Sequence, residues 1–242
     1  HRPPRMGAWV LISASWYHSS ESRFLIMGLP RSGTTYLMTL LNSHPAIHCS
    51  GEQFNPYHIV GVGEDMNGDQ AALIRRDRDP VNFAKAFLEN YLGKGHSRVG
   101  SKFMIGHNID LLRAIEGWEN TKIIYVWREN RLAQTSSLMK AEQTLTWAQE
   151  EVDDHIRRKT QAGPNAIRDR WHEYATCDYL FGLWYENLKC PRMAVEYCEL
   201  FSRDFNRRTC RFLDVDPRAQ MKSSLVKQGQ NEINGERSAN PF

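Results

Sequence analysis

The chain has 242 residues, enough for one α/β domain whose core folds without disulfide or metal staples. Its 41% hydrophobic and 24% charged residues are ordinary for a globular protein, and a formal charge of +3 is too small to argue for a nucleic-acid partner. No apolar run has the length of a membrane span, so a stable span is not expected.

Residues 1–22 read as an N-terminal arm, irregular or an edge strand. Their basic "HRPPR" followed by "MGAWVLISAS" also has the outline of an export signal, so an exported or lumenal location stays open. Residues 23–242 read as a single domain, with no internal repeat. "RFLIMG" (Arg23–Gly28) is a short apolar run ending in glycine, the form of a buried parallel strand. "TTYLMTLLNS" follows as a helix, with Leu37, Leu40 and Leu41 on one face. Pro45 stops it, and Ala46–Ser50 form a second strand closed by Gly51 and Glu52. Residues 55–80 are rich in Gly, Asp, Asn and Pro and read as a substrate-side loop with little regular structure.

"VNFAKAFLENYL" is helical, with Phe83, Ala86, Phe87 and Tyr91 on one side. Arg98–Ile105 read as a strand, "IDLLRAIEGW" as a short helix, and Lys122–Trp127 ("KIIYVW") as the clearest strand of the chain. A helix over 131–149 follows, then a hydrophilic loop or flap over 150–170. From Tyr174 the residues Cys177, Phe181, Trp184 and Leu188 recur at helical spacing. "RMAVEYCEL" holds another strand and "FNRRTCRFLDV" another helix. Strands alternating with helices argue a P-loop-like parallel sheet flanked by helices on both faces.

Five cysteines, an odd count without a Cys-x-x-Cys pair, favour reduced thiols and a cytoplasmic setting over a disulfide framework or structural zinc. Pro45 keeps His44 and His48 from sharing a helix face, so they do not read as metal ligands.

The stretch "GLPRSGTT" (Gly28–Thr35) joins the first strand to the first helix. Such a turn gathers backbone N–H groups at a helix N-terminus and attracts an anion. Gly28 and Gly33 allow close approach, and Ser32, Thr34 and Thr35 add hydroxyls. Thr34 stands where a nucleotide triphosphatase carries lysine, and Arg31 can supply the missing charge. A metal-dependent P-loop enzyme also needs an acid after a neighbouring strand; "KIIYVW" runs into Arg128 instead. The expected ligand therefore has two separated anionic ends and needs no metal.

"MGLPRSGTTYLMTLLNSHPAI" resembles the 5′-phosphosulfate loop of sulfotransferases that use 3′-phosphoadenosine-5′-phosphosulfate (PAPS), above all the bacterial carbohydrate sulfotransferases of nodulation-factor and trehalose type. "SGEQFN" resembles the segment that follows in that group, and "IIYVWRENRLAQTSSLMKAEQT" its 3′-phosphate segment. Arg128 and Ser136 keep the family's spacing of an arginine followed eight residues later by a serine, with Ser137 beside it. "LVKQ" resembles a tail segment that closes over the cofactor. The resemblance implies transfer of a sulfuryl group from PAPS to a hydroxyl of a carbohydrate or glycolipid, or of another small molecule, leaving 3′,5′-adenosine bisphosphate. It implies that Arg31, Ser32, Gly33, Thr34 and Thr35 hold the 5′ end, Arg128 and Ser136 the 3′-phosphate, and Lys227 and Gln228 the donor's phosphates. Arg31 would also stabilise the leaving phosphate. Glu52 would be the base, with a salt bridge to Arg31 as its structural alternative; His44, His48 and His107 remain candidate bases. Lys102 is a further candidate to touch either ligand. Trp118, Trp127, Trp147 and Trp171 could stack on sugars or pack in the core. A P-loop kinase or NTPase, and a non-catalytic phosphate-binding module, are the alternative readings; the oligomeric state is open.

Overall fold

Five parallel strands form the centre of the structure, a computed structural model describing residues 22–60, 69–92, 94–118, 121–148 and 162–225. They are β1 (Ser22–Gly28), β2 (Ile47–Glu52), β3 (Arg98–Met104), β4 (Thr121–Trp127) and β5 (Arg192–Glu196), in the order β2-β3-β1-β4-β5. The helices are α1 (Thr34–Asn42), α2 (Gln70–Arg78), α3 (Pro80–Leu92), α4 (Ile109–Ile115), α5 (Arg131–Thr144), α6 (Pro164–Asn187) and α7 (Phe205–Phe212), with a 3₁₀ helix over Tyr197–Phe201.

The apolar run of β1 serves both faces of the sheet. Phe24 and Ile26 pack with Leu37, Leu40 and Leu41 of α1 and with Phe205 and Cys210 of α7. Leu25 and Met27 turn the other way, onto Leu111 and Ile115 of α4 and Phe181 and Tyr185 of α6. A strand covered on both sides has no polar face to show, so it reads as unbroken hydrophobicity. β1 and β4 are neighbours, yet the chain leaves β1 toward β2 and leaves β4 toward β5. Their carboxyl ends therefore flank the point where the strand order reverses, the crevice in which open α/β sheets bind ligands.

The expected alternation of strand and helix is observed, with differences at particular segments. Within the stretch expected as loop, Gln70–Arg78 is helical, capped by the Asp69 carboxylate accepting from the Ala72 N–H at 3.0 Å. Its buried residues are Ala72, Leu73 and Arg76, two apolar positions and a charge that do not register as helical periodicity. α3 buries Ala84, Leu88 and Tyr91, while Ala86 is exposed, so its core face is rotated from the expected one. α5 stops at Thr144 because Leu145 adopts a left-handed conformation (φ 56°). α6 begins at Pro164, which takes the end of the expected flap into a helix with proline in its first turn. Residues 1–21, most of the flap, Lys227 and Gln228 lie outside the described residues. No disulfide joins the five cysteines. Among the described residues no helix is long and apolar enough to cross a membrane.

Gly100 of β3 makes room for a core ring: a Cβ there would stand 2.5 Å from the Phe24 ring. Gly100→Ala is expected to destabilise the fold by about 1–3 kcal/mol through overpacking. The same substitution in a Phe24→Leu background should cost less, as read by urea unfolding; equal costs in both backgrounds would contradict this packing account.

Candidate active site

The turn between β1 and α1 is shaped by two tight places. A Cβ on Gly28 would lie 2.5 Å from the Val126 carbonyl oxygen and 2.7 Å from Ser32 Oγ, so the loop closes only over glycine. Gly33 has φ 99°, and a side chain there would meet Leu200 at 2.6 Å. Arg31 is also left-handed (φ 63°), a conformation that costs a non-glycine residue about 1–2 kcal/mol. Left-handed residues inside such a turn form a backbone nest suited to anions. The first hydrogen bond into α1 runs from the Leu37 N–H to the Gly33 carbonyl at 3.0 Å, and Gly33 supplies no side-chain cap. The N–H groups ahead of Leu37 thus remain at the helix mouth. The Ser32 hydroxyl beneath the loop is fully buried with no hydrogen-bond partner among the described residues.

Distant segments hold this turn in place. The Pro30 carbonyl accepts from Gln134 Nε2 of α5 at 2.8 Å and from the Tyr174 hydroxyl of α6 at 3.0 Å. Arg31 donates from Nε to Ser137 Oγ at 2.9 Å and from a terminal nitrogen to the Trp147 carbonyl. Arg128, the first residue after β4, donates to the Arg31 carbonyl at 3.4 Å and lies over the Tyr197 ring, 4.2 Å from its centroid. Among the described residues neither guanidinium has a carboxylate partner. Burial depresses the Arg31 guanidinium from its ordinary value; the Tyr174 phenol opposes this, and the like charge of Arg128 adds to it. Arginine stays protonated throughout.

A second group of charges stands two strands away. The pairing of β2 with β3 shifts register between Ser50 and Glu52, an irregularity of the kind that re-aims a side chain at a strand end. Glu52 then faces its cross-strand partner Lys102, whose Nζ lies 2.7 Å from Glu52 Oε1 and donates to Thr35 Oγ1 at 2.7 Å. Asn55 Nδ2 donates to Glu52 Oε2 at 2.9 Å. The buried Arg76 of α2 binds the carbonyls of Gln53 and Asn55 at 3.1 and 2.7 Å, so α2 braces the segment that carries Glu52. Burial pushes the Glu52 carboxyl up, but the Lys102 charge and the hydrogen bonds from Lys102 and Asn55 leave it below its ordinary value. His107 is depressed by burial, with Glu52 opposing and Lys102 and Arg76 adding to the effect. Its Nδ1 is buried with no hydrogen-bond partner among the described residues.

Of the residues singled out in the sequence, Arg31, Ser32, Gly33, Thr34, Thr35 and Arg128 come together around the turn. Thr34 is buried, with its hydroxyl 3.8 Å from Met104 Sδ. Ser136 is exposed on α5, and its neighbour Ser137 is the one that meets Arg31. Glu52 is salt-bridged to Lys102 rather than to Arg31. His44 uses both ring nitrogens locally, with the Asp216 carbonyl and the Ala46 N–H. His48 stacks on Tyr91 near the start of β2. His107 is therefore the one of the three histidines beside Glu52. Trp118 packs partly against the core, whereas Trp147 and Trp171 are exposed. Gln134, Tyr174 and Tyr197 were not singled out; each reaches the turn from a residue far along the chain, and no local pattern marks them.

The Glu52–Lys102 pair has a pH signature. A carboxyl depressed in the folded state contributes stability at pH above its unfolded value, and loses it as pH falls through the folded value. Lys102→Met leaves burial to dominate, so Glu52 should titrate above its ordinary value. Its contribution then reverses sign, present at low pH and lost as pH rises. Carbon-13 NMR titration of labelled glutamates, assigned with Glu52→Gln, reads this directly; an unmoved Glu52 titration in Lys102→Met would contradict the pairing.

The profile of the sulfotransferase family matches residues 23–190. Nodulation protein H of Rhizobium meliloti (strain 1021) is 30% identical over 162 residues, covering 65% of this chain and 59% of that protein. Nodulation protein H of Rhizobium tropici is 30% identical over 131 residues, covering 53% and 49%. The chain thus spans roughly half to three-fifths of these relatives' length. A sulfotransferase of solved structure from Alicyclobacillus acidocaldarius superposes with a TM-score of 0.49 at 18% identity, covering 87% of each chain. With the profile spanning more than half of its residues, the chain belongs to the sulfotransferase family.

Proposed function

We propose that this chain transfers a sulfuryl group from PAPS to an acceptor hydroxyl, on a carbohydrate by its resemblance to the bacterial carbohydrate sulfotransferases. The observation that carries the reading is the pairing of Arg128 with the phosphate turn: a second cation, without a carboxylate partner among the described residues, touches the Arg31 carbonyl. An ordinary β–α turn has no use for two such guanidinium groups, whereas a nucleotide with phosphate at both ends does. The Ser32 hydroxyl, without a partner among the described residues, and the uncapped mouth of α1 fit the same anion. A metal-dependent kinase would want an acid at the end of β4, where Arg128 stands.

In this reading PAPS, when bound, supplies the sulfuryl group. The turn's N–H groups, Ser32, Thr35 and Arg31 hold its 5′ end, and Arg31 stabilises the charge that grows on the departing phosphate. Arg128 holds the 3′-phosphate; Ser136, Lys227 and Gln228 complete the donor contacts. Glu52 takes the proton of the acceptor hydroxyl. Its present bond to Lys102 makes it a weak base, but Lys102 also binds Thr35 at the turn. An anion at the turn competes for that ammonium. Released from it, Glu52 keeps the burial that raises its pKa and becomes the stronger base. His107, which feels the Glu52 charge, is the histidine that would share in the proton's removal. The cysteines, reduced and unbridged, suit the cytoplasm.

Two outcomes test this. Arg128→Ala should weaken binding of 3′,5′-adenosine bisphosphate about ten- to hundredfold while changing binding of 5′-AMP little, by calorimetry. Equal losses would remove the 3′-phosphate from Arg128. Glu52→Gln should lower turnover with PAPS and a sugar acceptor about a hundred- to ten-thousandfold with donor affinity kept; near-normal turnover would take the base role away from Glu52.

A further inference from the structure

On the α6 face of the sheet, at the β5 edge, lies a cleft of about 330 Å³ that the proposed transfer chemistry does not use. Its floor is Tyr125 and Trp127 of β4 with Ala194 of β5, the register partner of Tyr125; α6 forms a wall with Asp178, Gly182 and Glu186. Arg131 also lines it. The space exists because two positions carry almost no side chain. A Cβ on Gly182 would meet nothing within 4 Å, so no packing demands glycine there. A glycine inside a helix costs about 1 kcal/mol relative to alanine. Ala194 leaves the facing strand equally bare and exposed.

The polar groups are organised. Asp178 accepts from the Tyr125 hydroxyl at 3.0 Å and from Arg131 Nε at 3.4 Å. Each of its oxygens keeps a further lone pair, and the terminal nitrogens of Arg131 have no partner among the described residues. Planar donors and acceptors thus border aromatic surface, in a volume at the small end of ligand pockets and suited to one ring. The charge is already paired across Arg131 and Asp178, with Glu186 lying 3.9 Å from Arg192. A phosphate would face two carboxylates, and a cation would face Arg131. A neutral ring with hydroxyls around its edge and C–H groups on its face meets every feature.

We propose that this cleft is a second, non-catalytic binding site for a neutral hexopyranose. It is distinct from the donor pocket: Arg128 stacks on Tyr197, which packs against the opposite face of the sheet. The inference does not rest on the transfer reading, because its test needs no donor and no turnover.

The test titrates the chain with methyl β-glucopyranoside, methyl β-galactopyranoside and N-acetylglucosamine, followed by nitrogen-15 NMR of the indole N–H groups. The Trp127 signal is assigned with Trp127→Phe. At least one sugar should shift the Trp127 signal with a millimolar dissociation constant. Gly182→Leu and Ala194→Phe, each filling the cleft from one side, should weaken that binding by at least about tenfold, and Glu52→Gln should leave it within about twofold. An unmoved Trp127 signal in the wild-type chain at saturating sugar overturns the proposal without reference to any variant. So does wild-type affinity in a folded filling variant, or loss of binding in Glu52→Gln, which would put the sugar at the transfer site.

Discussion

Two guanidinium groups are held beside one tight turn, and much of the surrounding architecture serves to keep them there. Arg31 takes a left-handed backbone and is gripped by Ser137 and the Trp147 carbonyl; Arg128 leans on the Arg31 carbonyl and on Tyr197. The like charge of Arg128 helps depress the Arg31 guanidinium, so the two cations repel one another. The fold supports that repulsion by bracing Pro30 from two helices at once. In the proposed reading an anion at the turn converts that repulsion into attraction.

The same turn joins the second charged group. Thr35 lies in the first turn of α1 and also receives Lys102, which holds Glu52 across the β2–β3 register. In the proposed reading, binding at the turn and the basicity of Glu52 are linked through this one ammonium group. That link needs no large motion, because Lys102 already touches both sides.

What the sequence revealed, and what it hid, follows from the range of the interactions involved. β1 and β4 are legible because burial on both faces writes an unbroken apolar run, and the turn is legible because its glycines and hydroxyls are contiguous. Arg128 could be found because it abuts a strand whose end must lie near Gly28. The Glu52–Lys102 pair could not, since it depends on a strand register set between segments far apart in the chain. Tyr174 reaches Pro30 across 144 positions, and nothing near either residue foretells it. α2 was hidden for another reason: its buried position 76 is an arginine that binds carbonyls, so the helix lacks the apolar stripe that would announce it. It steadies the segment that bears Glu52.

The central claim is that the turn and Arg128 together grip a nucleotide by its phosphates without a divalent cation. Calorimetric titration with 3′,5′-adenosine bisphosphate in a buffer containing a metal chelator examines it most directly. The account predicts saturable binding there, weakening as salt is raised and unaltered by added Mg²⁺. Absence of binding under those conditions, with ATP binding once Mg²⁺ is supplied, would contradict it.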